Sequence, residues 1–499
     1  MIICFVFNIF YSFAQNDTKR DNIWLFGYDS YYNLTNPLSG NTILDFKTKP
    51  ISNFFQYTDM NFNSDIAIMS DTAGQLLFYT NGIYIADKTH QPMENGKGLN
   101  PGKEADKKEK YGYINEQGTL ILPMPNNPNL YYLIHSAIVW DFDNTPVYIK
   151  GEKLYYTLID ISKNDGKGAV IEKNKVIIGD KYHDAGKITA CRHANGKDWW
   201  IIVADFDTKN FNILLLTKNG IEIKSEQKFP LGSRSGLGQA VFSPDGTKYA
   251  RFNAVTVQEG TYVDIFDFDR CEGKLSNQKH WNYSTDTTYA GGIAVSPNSK
   301  YLYVSSYTKI YQLDLTQEDV FATIDTVAKY DGNLDKEFGG TTKFYLAQLA
   351  PDRKIYISTT NTTRYLHVIN EPDKKGKACN VEQHSFKLAR KNYTTMPNFP
   401  NFRLGAAATP CNSVASEEVV QGNIKIYPNP TDNYIYIDYG KENLINNQLI
   451  ISDIQGKIIF QKPLNEDKID VSDYPNGIYF LQIQKDDRVI FREKVVILK

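Results

Sequence analysis

The strongest constraint on this chain is a turn that keeps returning with an apolar strand on either side. Residues 291–315 read Gly-Gly-Ile-Ala-Val-Ser-Pro-Asn-Ser-Lys-Tyr-Leu-Tyr-Val-Ser, then a short polar break, then Ile310-Tyr-Gln-Leu-Asp-Leu315. Apolar residues alternating at a period of two mark strands, and Ser-Pro-Asn-Ser sets a turn between them. Related turns stand at Ser70-Asp-Thr-Ala-Gly74, Pro125-Asn-Asn-Pro-Asn129, Ala194-Asn-Gly-Lys-Asp198, Ser243-Pro-Asp-Gly246, Ser296-Pro-Asn-Ser299 and Ala350-Pro-Asp-Arg353. They recur at roughly 50 to 65 residues, at or somewhat above the period of four-stranded propeller blades.

A third strand follows each turn, at 83–86, 154–161, 211–216, 263–268, 310–315 and 365–369, and a more polar fourth can follow, as at 277–283 and 381–388. Four antiparallel strands make a blade, apolar inside and polar at the outer edge. Six units are visible. The strand-like stretches 22–27 and 43–46 lack the turn, and 398–405 is a lone strand at the far end. An open sheet edge invites aggregation, so these ends are expected to build a seventh, composite blade. The expected fold is all-β, a β-propeller of seven blades, with six as the alternative, over residues 20–405.

Composition agrees with this class. Aromatics make up 13% of the 499 residues and the apolar segments are short, which favours strands over long helices. With 55 basic and 57 acidic residues the net charge is -2, leaving no surplus to hold a polyanion, so nucleic acid is not an expected partner. Residues 1–15 are read as a signal peptide, apolar from Ile2 to Phe13, with the cut between Ala14 and Gln15. No later run reaches the roughly 20 apolar residues of a membrane-spanning helix, so no transmembrane segment is expected. Segment 94–116, with its Lys103-Glu-Ala-Asp-Lys-Lys-Glu-Lys110 run, is expected to be a long loop, either solvated or part of a binding face.

Beyond 405 the chain becomes small and polar, a linker over 406–422. Seven short strands then fit into 423–499, at 424–427, 434–439, 448–453, 457–462, 468–471, 477–484 and 489–498. That density suits a small immunoglobulin-like β-sandwich. Of five cysteines, Cys4 leaves with the signal, and no pair has the Cys-x-x-Cys spacing of a zinc or redox site. A disulfide between Cys379 and Cys411 is expected, as both lie near the end of the repeats, although spacing alone does not fix connectivity.

The terminal strands carry ordered blocks: Ile426-Tyr-Pro-Asn-Pro-Thr431, Tyr434-Ile-Tyr-Ile437, Ile450-Ile-Ser-Asp-Ile-Gln-Gly-Lys457, Tyr474-Pro-Asn-Gly-Ile-Tyr-Phe-Leu481 and Lys494-Val-Val-Ile-Leu-Lys499. This segment resembles the type A sorting domain of the bacterial type IX secretion system. The resemblance implies recognition by the outer-membrane translocon, with delivery to the medium or the cell surface after passage through the periplasm. It marks Tyr427, Pro428, Asn429, Pro430, Asp453, Gly456, Gly477, Tyr479 and Lys499 as the sorting signal. Physically, Pro428 and Pro430 stiffen the entry, 453–456 makes a hairpin turn, and Asn476-Gly477 is expected to supply the positive φ of another turn. Residues 20–411 look like secreted Bacteroidetes propellers that open on Trp24-Leu-Phe-Gly27 and close on Pro397-Asn-Phe-Pro-Asn-Phe-Arg-Leu-Gly405, with turns similar to YVTN-type and WD-like repeats. Thr72, Thr287 and Thr326 match the O-glycosylation triplet of that bacterial group.

Signals of catalysis are sparse. Seven histidines are scattered, and none belongs to a His-Glu-x-x-His cluster; His183 and His193 alone flank a shared stretch. Asp141-Phe-Asp-Asn144 and Asp267-Phe-Asp269 alternate carboxylates but lack a full calcium loop, so no cofactor is expected and calcium stays a minor alternative. Residues 232–238 are Gly-rich without the Lys-Ser/Thr ending of a phosphate loop, and read as a blade crossing. Trp140, Trp199, Trp200 and Trp281 serve either as a sugar platform or as filling between blades. The reading is an exported binding or scaffold protein for a protein or glycan ligand. Its alternatives are a propeller enzyme, lactonase-like or lyase-like, with an axial divalent ion, and a structural part of an adhesion or gliding apparatus.

Overall fold

The computed structural model describes residues 18–499, apart from 31–35, 143–146, 257–258, 284–290, 410, 412–423, 439–446, 455 and 486–487. Ala14, Gln15, Thr287 and most of the 406–422 linker therefore lie outside the described residues. The chain divides into two compact units between Pro410 and Cys411.

In the first unit the alternating segments form seven blades in chain order. Blade 1 has three strands, Ile23–Tyr28, Gly40–Asp45 and Ser52–Gln56. Blades 2 and 3 have four strands each, joined edge to edge into one eight-stranded sheet by a single parallel pairing of Glu94 with Ala169. Blades 4 to 7 are separate four-stranded sheets, each in sequential antiparallel order. The inner strands of blades 2 to 7 are Ala67–Ser70, Thr119–Pro123, Thr189–Arg192, Leu237–Phe242, Gly291–Val295 and Phe344–Leu349.

Period-two alternation explains why these strands are apolar on both sides. In Trp199–Ala204, Trp199, Ile201 and Val203 join the core shared with earlier blades. Trp200, Ile202 and Ala204 turn the other way, onto Ala240, Phe242, Tyr249 and Phe266 of blade 5. Each blade thus buries two faces, as expected for neighbours stacked around an axis. The recurrent turn owes its form to its polar residues: the Ser243 hydroxyl accepts the Lys248 N–H at 2.9 Å, the Asp245 carboxylate accepts the Thr247 N–H at 3.0 Å, and Gly246 takes φ +74°.

The closing segment differs from expectation. Residues 397–405 form no ladder with blade 1; they run along the axis beside it. The Asn398 side chain donates to the carbonyls of Thr119 (2.8 Å) and Ile188 (2.9 Å), and its backbone N–H donates to Ile66 at 3.3 Å. Farther along, Asn401 donates to Pro244 O at 2.7 Å, and Phe399 packs on Trp24 at 6.1 Å between ring centroids. A strand that must satisfy carbonyls from several blades cannot also pair regularly with one. The 94–116 segment is also more regular than expected, since it contains the end of the strand Pro92–Lys97 and a helix, Lys103–Lys108.

The expected Cys379–Cys411 disulfide is not formed. Cys379 is a free thiol buried in a short helical turn of blade 7, hydrogen-bonded with Tyr303, whereas Cys271 and Cys411 are both disulfide-bonded.

The second unit is two sheets facing across one core. One has three strands, Lys425–Tyr427, Tyr434–Asp438 and Lys468–Asp470; the other has four, Gln448–Asp453, Ile458–Pro463, Gly477–Lys485 and Arg488–Ile497. Ile426, Ile435, Ile451, Leu481, Phe491 and Val495 fill it. Asn429 clamps the last strand, donating to Lys494 O at 2.6 Å and accepting from Val496 N–H at 2.9 Å. Asp453 and Gly456 make the expected turn, with Gly456 at φ +81°. Gly477 is not among the positive-φ residues, because it already opens a strand. Tyr479 is buried and donates to Pro475 O at 2.9 Å, and the Lys499 N–H donates to Asn476 at 2.9 Å.

Candidate functional site

Asn398 reaches the starts of three inner strands, which places those starts at one end of the axis. Pro244, Pro297 and Pro351, just past the ends of three inner strands, line one cavity at the other end. The recurrent turns therefore share the second face, and the strand-two-to-strand-three hairpins share the first, because successive strands alternate direction.

The axis itself is filled with polar groups. Gln117 donates to Ala240 O at 3.1 Å and to Asn398 Oδ1 at 3.2 Å, and accepts the Ala240 N–H at 2.7 Å. A chain of buried charges continues outward. The Lys187 ammonium donates to Asp184 at 2.9 Å, Arg251 donates to the other Asp184 oxygen at 2.7 Å, and His280 meets Asp264 at 2.6 Å. Burial pushes the Glu116 carboxyl up and the Lys187 ammonium down. The Tyr345 hydroxyl donates to Glu116. Asp65 is held by Thr119 at 2.7 Å, and desolvation raises its pKa to about 8. These groups are paired with one another inside the ring, although Asp65 Oδ2 and the Arg251 Nε and Nη1 atoms have no hydrogen-bond partner among the described residues.

On the turn face the axis opens into a cavity of about 460 Å³. Val241, Ile293, Val295, Leu349 and Phe399 give it apolar walls. Asp21 also lines it, but its carboxylate is occupied by Arg403 at 2.6 and 2.8 Å. On the opposite face the segment 100–113 stands between two clefts. One, of about 650 Å³, is bounded by Trp140, Phe142, Glu104, Lys107 and Glu152; Phe142 is 70% exposed and stacks on Trp140 at 6.3 Å. The other, of about 300 Å³, includes Tyr28, Asp29, Asn61, Tyr111 and Tyr393.

Most residues singled out from the sequence have structural partners. Trp199 and Trp200 are buried and Trp281 stacks on Tyr283 at 4.3 Å, whereas Trp140 borders a cleft. His183 bridges to Ser136 at 2.9 Å, while His193 stacks on Trp200 at 5.3 Å; the two serve different neighbours. Burial lowers His183 to about 4, and His135 and His367 to about 3. Asp267 is bound by Lys248 and Asn277, Asp269 caps the Cys271 and Glu272 N–H groups, and Asp141 pairs with Lys150. Asp143 and Asn144 lie outside the described residues. Among the described residues no three His, Cys, Asp or Glu side chains form a metal-holding group. The tyrosines of the smaller cleft escaped sequence reasoning, since three separate loops supply them and no motif links them.

The first unit is thus a seven-bladed β-propeller with a polar-filled axis and cleft-bearing loops, and the second a small β-sandwich. Residues 425–498, the sandwich, match the family described as the secretion system C-terminal sorting domain. No curated protein matches the chain.

Among solved structures, the chain is similar to PorZ, described as an essential bacterial surface component of the type-IX secretion system of Porphyromonas gingivalis, at 11% identity and TM-score 0.36. That likeness covers 92% of this chain, which spans 63% of the PorZ chain. It is similar to the Myceliophteria thermophila Cps50 (Swd1) β-propeller domain at 10% identity and TM-score 0.37, covering 68% of this chain and 93% of the other. It is also similar to a putative 6-phosphogluconolactonase from Bacteroides uniformis at 10% identity and TM-score 0.37, covering 86% and 98%. Likenesses this loose carry no argument about activity. The sorting domain implies export, with secretion or attachment at the cell surface. Among the described residues no helix is long and apolar enough to cross a membrane.

Proposed function

We propose that this chain is a binding or scaffold protein of the cell exterior. On this reading the type IX translocon engages the C-terminal sandwich after passage through the periplasm, through the sorting signal that includes Tyr427, Pro428, Asn429, Pro430 and Lys499. The propeller then presents a protein or glycan ligand site on its loop face. Support comes from one combination: a sorting domain at 425–498 on the same chain as a propeller whose loop-face clefts are bordered by half-exposed aromatic side chains. Rigid rings position such loops at little ordering cost.

Two measurements test it. Deleting 422–499 should leave the protein in the periplasm, and undiminished delivery outside the cell defeats the export reading. A protein-ligand and glycan screen on the full chain, with metal analysis of the same sample, tests binding. Turnover of an ester or glycoside with a stoichiometric metal would make the protein an enzyme instead.

A further inference from the structure

The smaller loop-face cleft is built from parts remote in the sequence: Tyr28 and Asp29 at the end of the first strand of blade 1, Asn61 and Asn63 before blade 2, Tyr111 beyond the inserted helix, and Tyr393 after blade 7. Tyr111 is 58% exposed and Tyr393 41%, whereas Tyr28 is half-buried and Phe62 fully buried. Tyr111 and Tyr393 therefore leave much of their surface to solvent at the cleft.

The polar groups divide into spent and available. The Asn61 amide is spent: its oxygen accepts the Asp29 N–H at 2.6 Å and its nitrogen donates to Lys110 O at 2.6 Å. The Tyr28 hydroxyl is paired with Thr362 at 2.7 Å. Lys391 donates to Asp29 Oδ2 at 3.0 Å and lies 4.1 Å above the Tyr28 ring, so the carboxylate charge is balanced while Oδ1 keeps its acceptor capacity. Asp29 sits at φ +61°, a left-handed conformation unfavourable for a non-glycine residue. Such outliers persist where surrounding structure enforces them, often at ligand sites.

We infer that this cleft is a subsite for a neutral pyranose unit of a glycan, with Tyr111 and Tyr393 offering ring faces and Asp29 and Asn63 binding hydroxyls. The inference rests on the binding reading above and names its ligand class. With Asp29 matched by Lys391, the lining carries no unbalanced charge to select a cation or an anion. A wholly apolar ligand would strip water from Asp29 and Asn63 without replacing its hydrogen bonds, which disfavours it. A sugar ring matches both parts, with C–H faces for the tyrosines and hydroxyls for the carboxylate and amide. At about 300 Å³ the cleft sits at the lower limit of ordinary ligand sites, suited to one or two rings.

The test is calorimetric titration of the full chain with glucose, galactose, mannose and N-acetylglucosamine and their β-linked disaccharides, alongside a Pro-x-x-Pro peptide. Saturable binding of at least one sugar is expected. Tyr111→Ala or Tyr393→Ala should weaken it by about 2- to 10-fold each. Asp29→Asn, which keeps the side-chain shape, should weaken it too, and Ile223→Ala, an exposed side chain of blade 4 that lines neither cleft, should leave it unchanged. Circular dichroism and thermal melting confirm that each variant is folded. Saturable binding of the peptide alone, sugar binding indifferent to Tyr111, Tyr393 and Asp29, or no sugar binding at all would overturn the inference. A ligand captured in the broader screen through other residues sinks this subsite and leaves the binding reading standing; no capture of anything sinks both.

Discussion

Arg403 donates two hydrogen bonds to the carboxylate of Asp21, at 2.6 and 2.8 Å, joining residues 382 positions apart. Asp21 is buried and Arg403 is 36% exposed, so the bond fastens the last turn of the axial segment to the first strand of the ring. Removing the arginine leaves a buried carboxylate without its partner.

Arg403→Ala is therefore expected to destabilise the protein by on the order of 2 kcal/mol, less than a fully buried pair because solvent screens the exposed guanidinium. Urea unfolding of the two proteins checks this. A difference below about 0.5 kcal/mol, the scale of an ordinary surface change, would show that the pair does not secure the ring.

The pH dependence of stability has two opposed sources. Burial lowers His183 to about 4 and His135 and His367 to about 3, so these rings fold neutral. Their contribution is complete above the unfolded histidine pKa, roughly 6.5, and is lost as pH falls toward those values, at about 1.4 kcal/mol per unit for each. Asp65 acts the other way. Its folded pKa of about 8 means stability present below the unfolded carboxyl pKa is lost as pH rises to about 8. Three histidines outweigh one aspartate in acid, so unfolding midpoints should peak near neutrality. Asp65→Asn, which keeps the acceptor for Thr119, should make the decline on the alkaline side of the peak shallower, the part that remains coming from Glu116, whose carboxyl burial also raises. An unchanged profile in that variant would refute the assignment.

Gly246→Ala tests the recurrent turn. The residue sits at φ +74°, and an added Cβ would lie 2.7 Å from Arg270 Cδ and 2.8 Å from both Cys191 Sγ and Leu404 Cδ2. Left-handed strain and overpacking together predict a loss of about 2–4 kcal/mol. Denaturant unfolding measures it directly, and a neutral result would mean the neighbours give way freely.

In the C-terminal sandwich, Asn429→Ala removes both hydrogen bonds that hold the last strand at Lys494 and Val496. A loss of about 1–2 kcal/mol is expected. Amide hydrogen exchange should show faster exchange of the Val496 N–H than in the parent, and equal rates would contradict the clamp.

The blade count and the sandwich strands were legible because period-two alternation and Ser-Pro-Asp-Gly chemistry are local. Trp199 and Trp200, adjacent in sequence, already announce two opposed interfaces. The axial course of 397–405 was not legible, since its form depends on Thr119, Ile188 and Pro244 carbonyls brought together by the ring. The cysteine partners were misjudged for a similar reason: Cys379 lies near the repeat end in sequence, yet a helical turn buries it against Tyr303. Tyr28, Tyr111 and Tyr393 carry no shared motif, so their meeting place emerges only from the fold.

The axial position of Asn398 has a consequence for synthesis. Carbonyls of blades 2, 3 and 4 wait for the side chain and backbone N–H of a residue that leaves the ribosome roughly 200 to 330 residues after them. Until it arrives, the nascent propeller is an unsealed arc with exposed ends. A chaperone that shields those ends during translocation, or a pause that delays compaction, would act on this last stitch before any other.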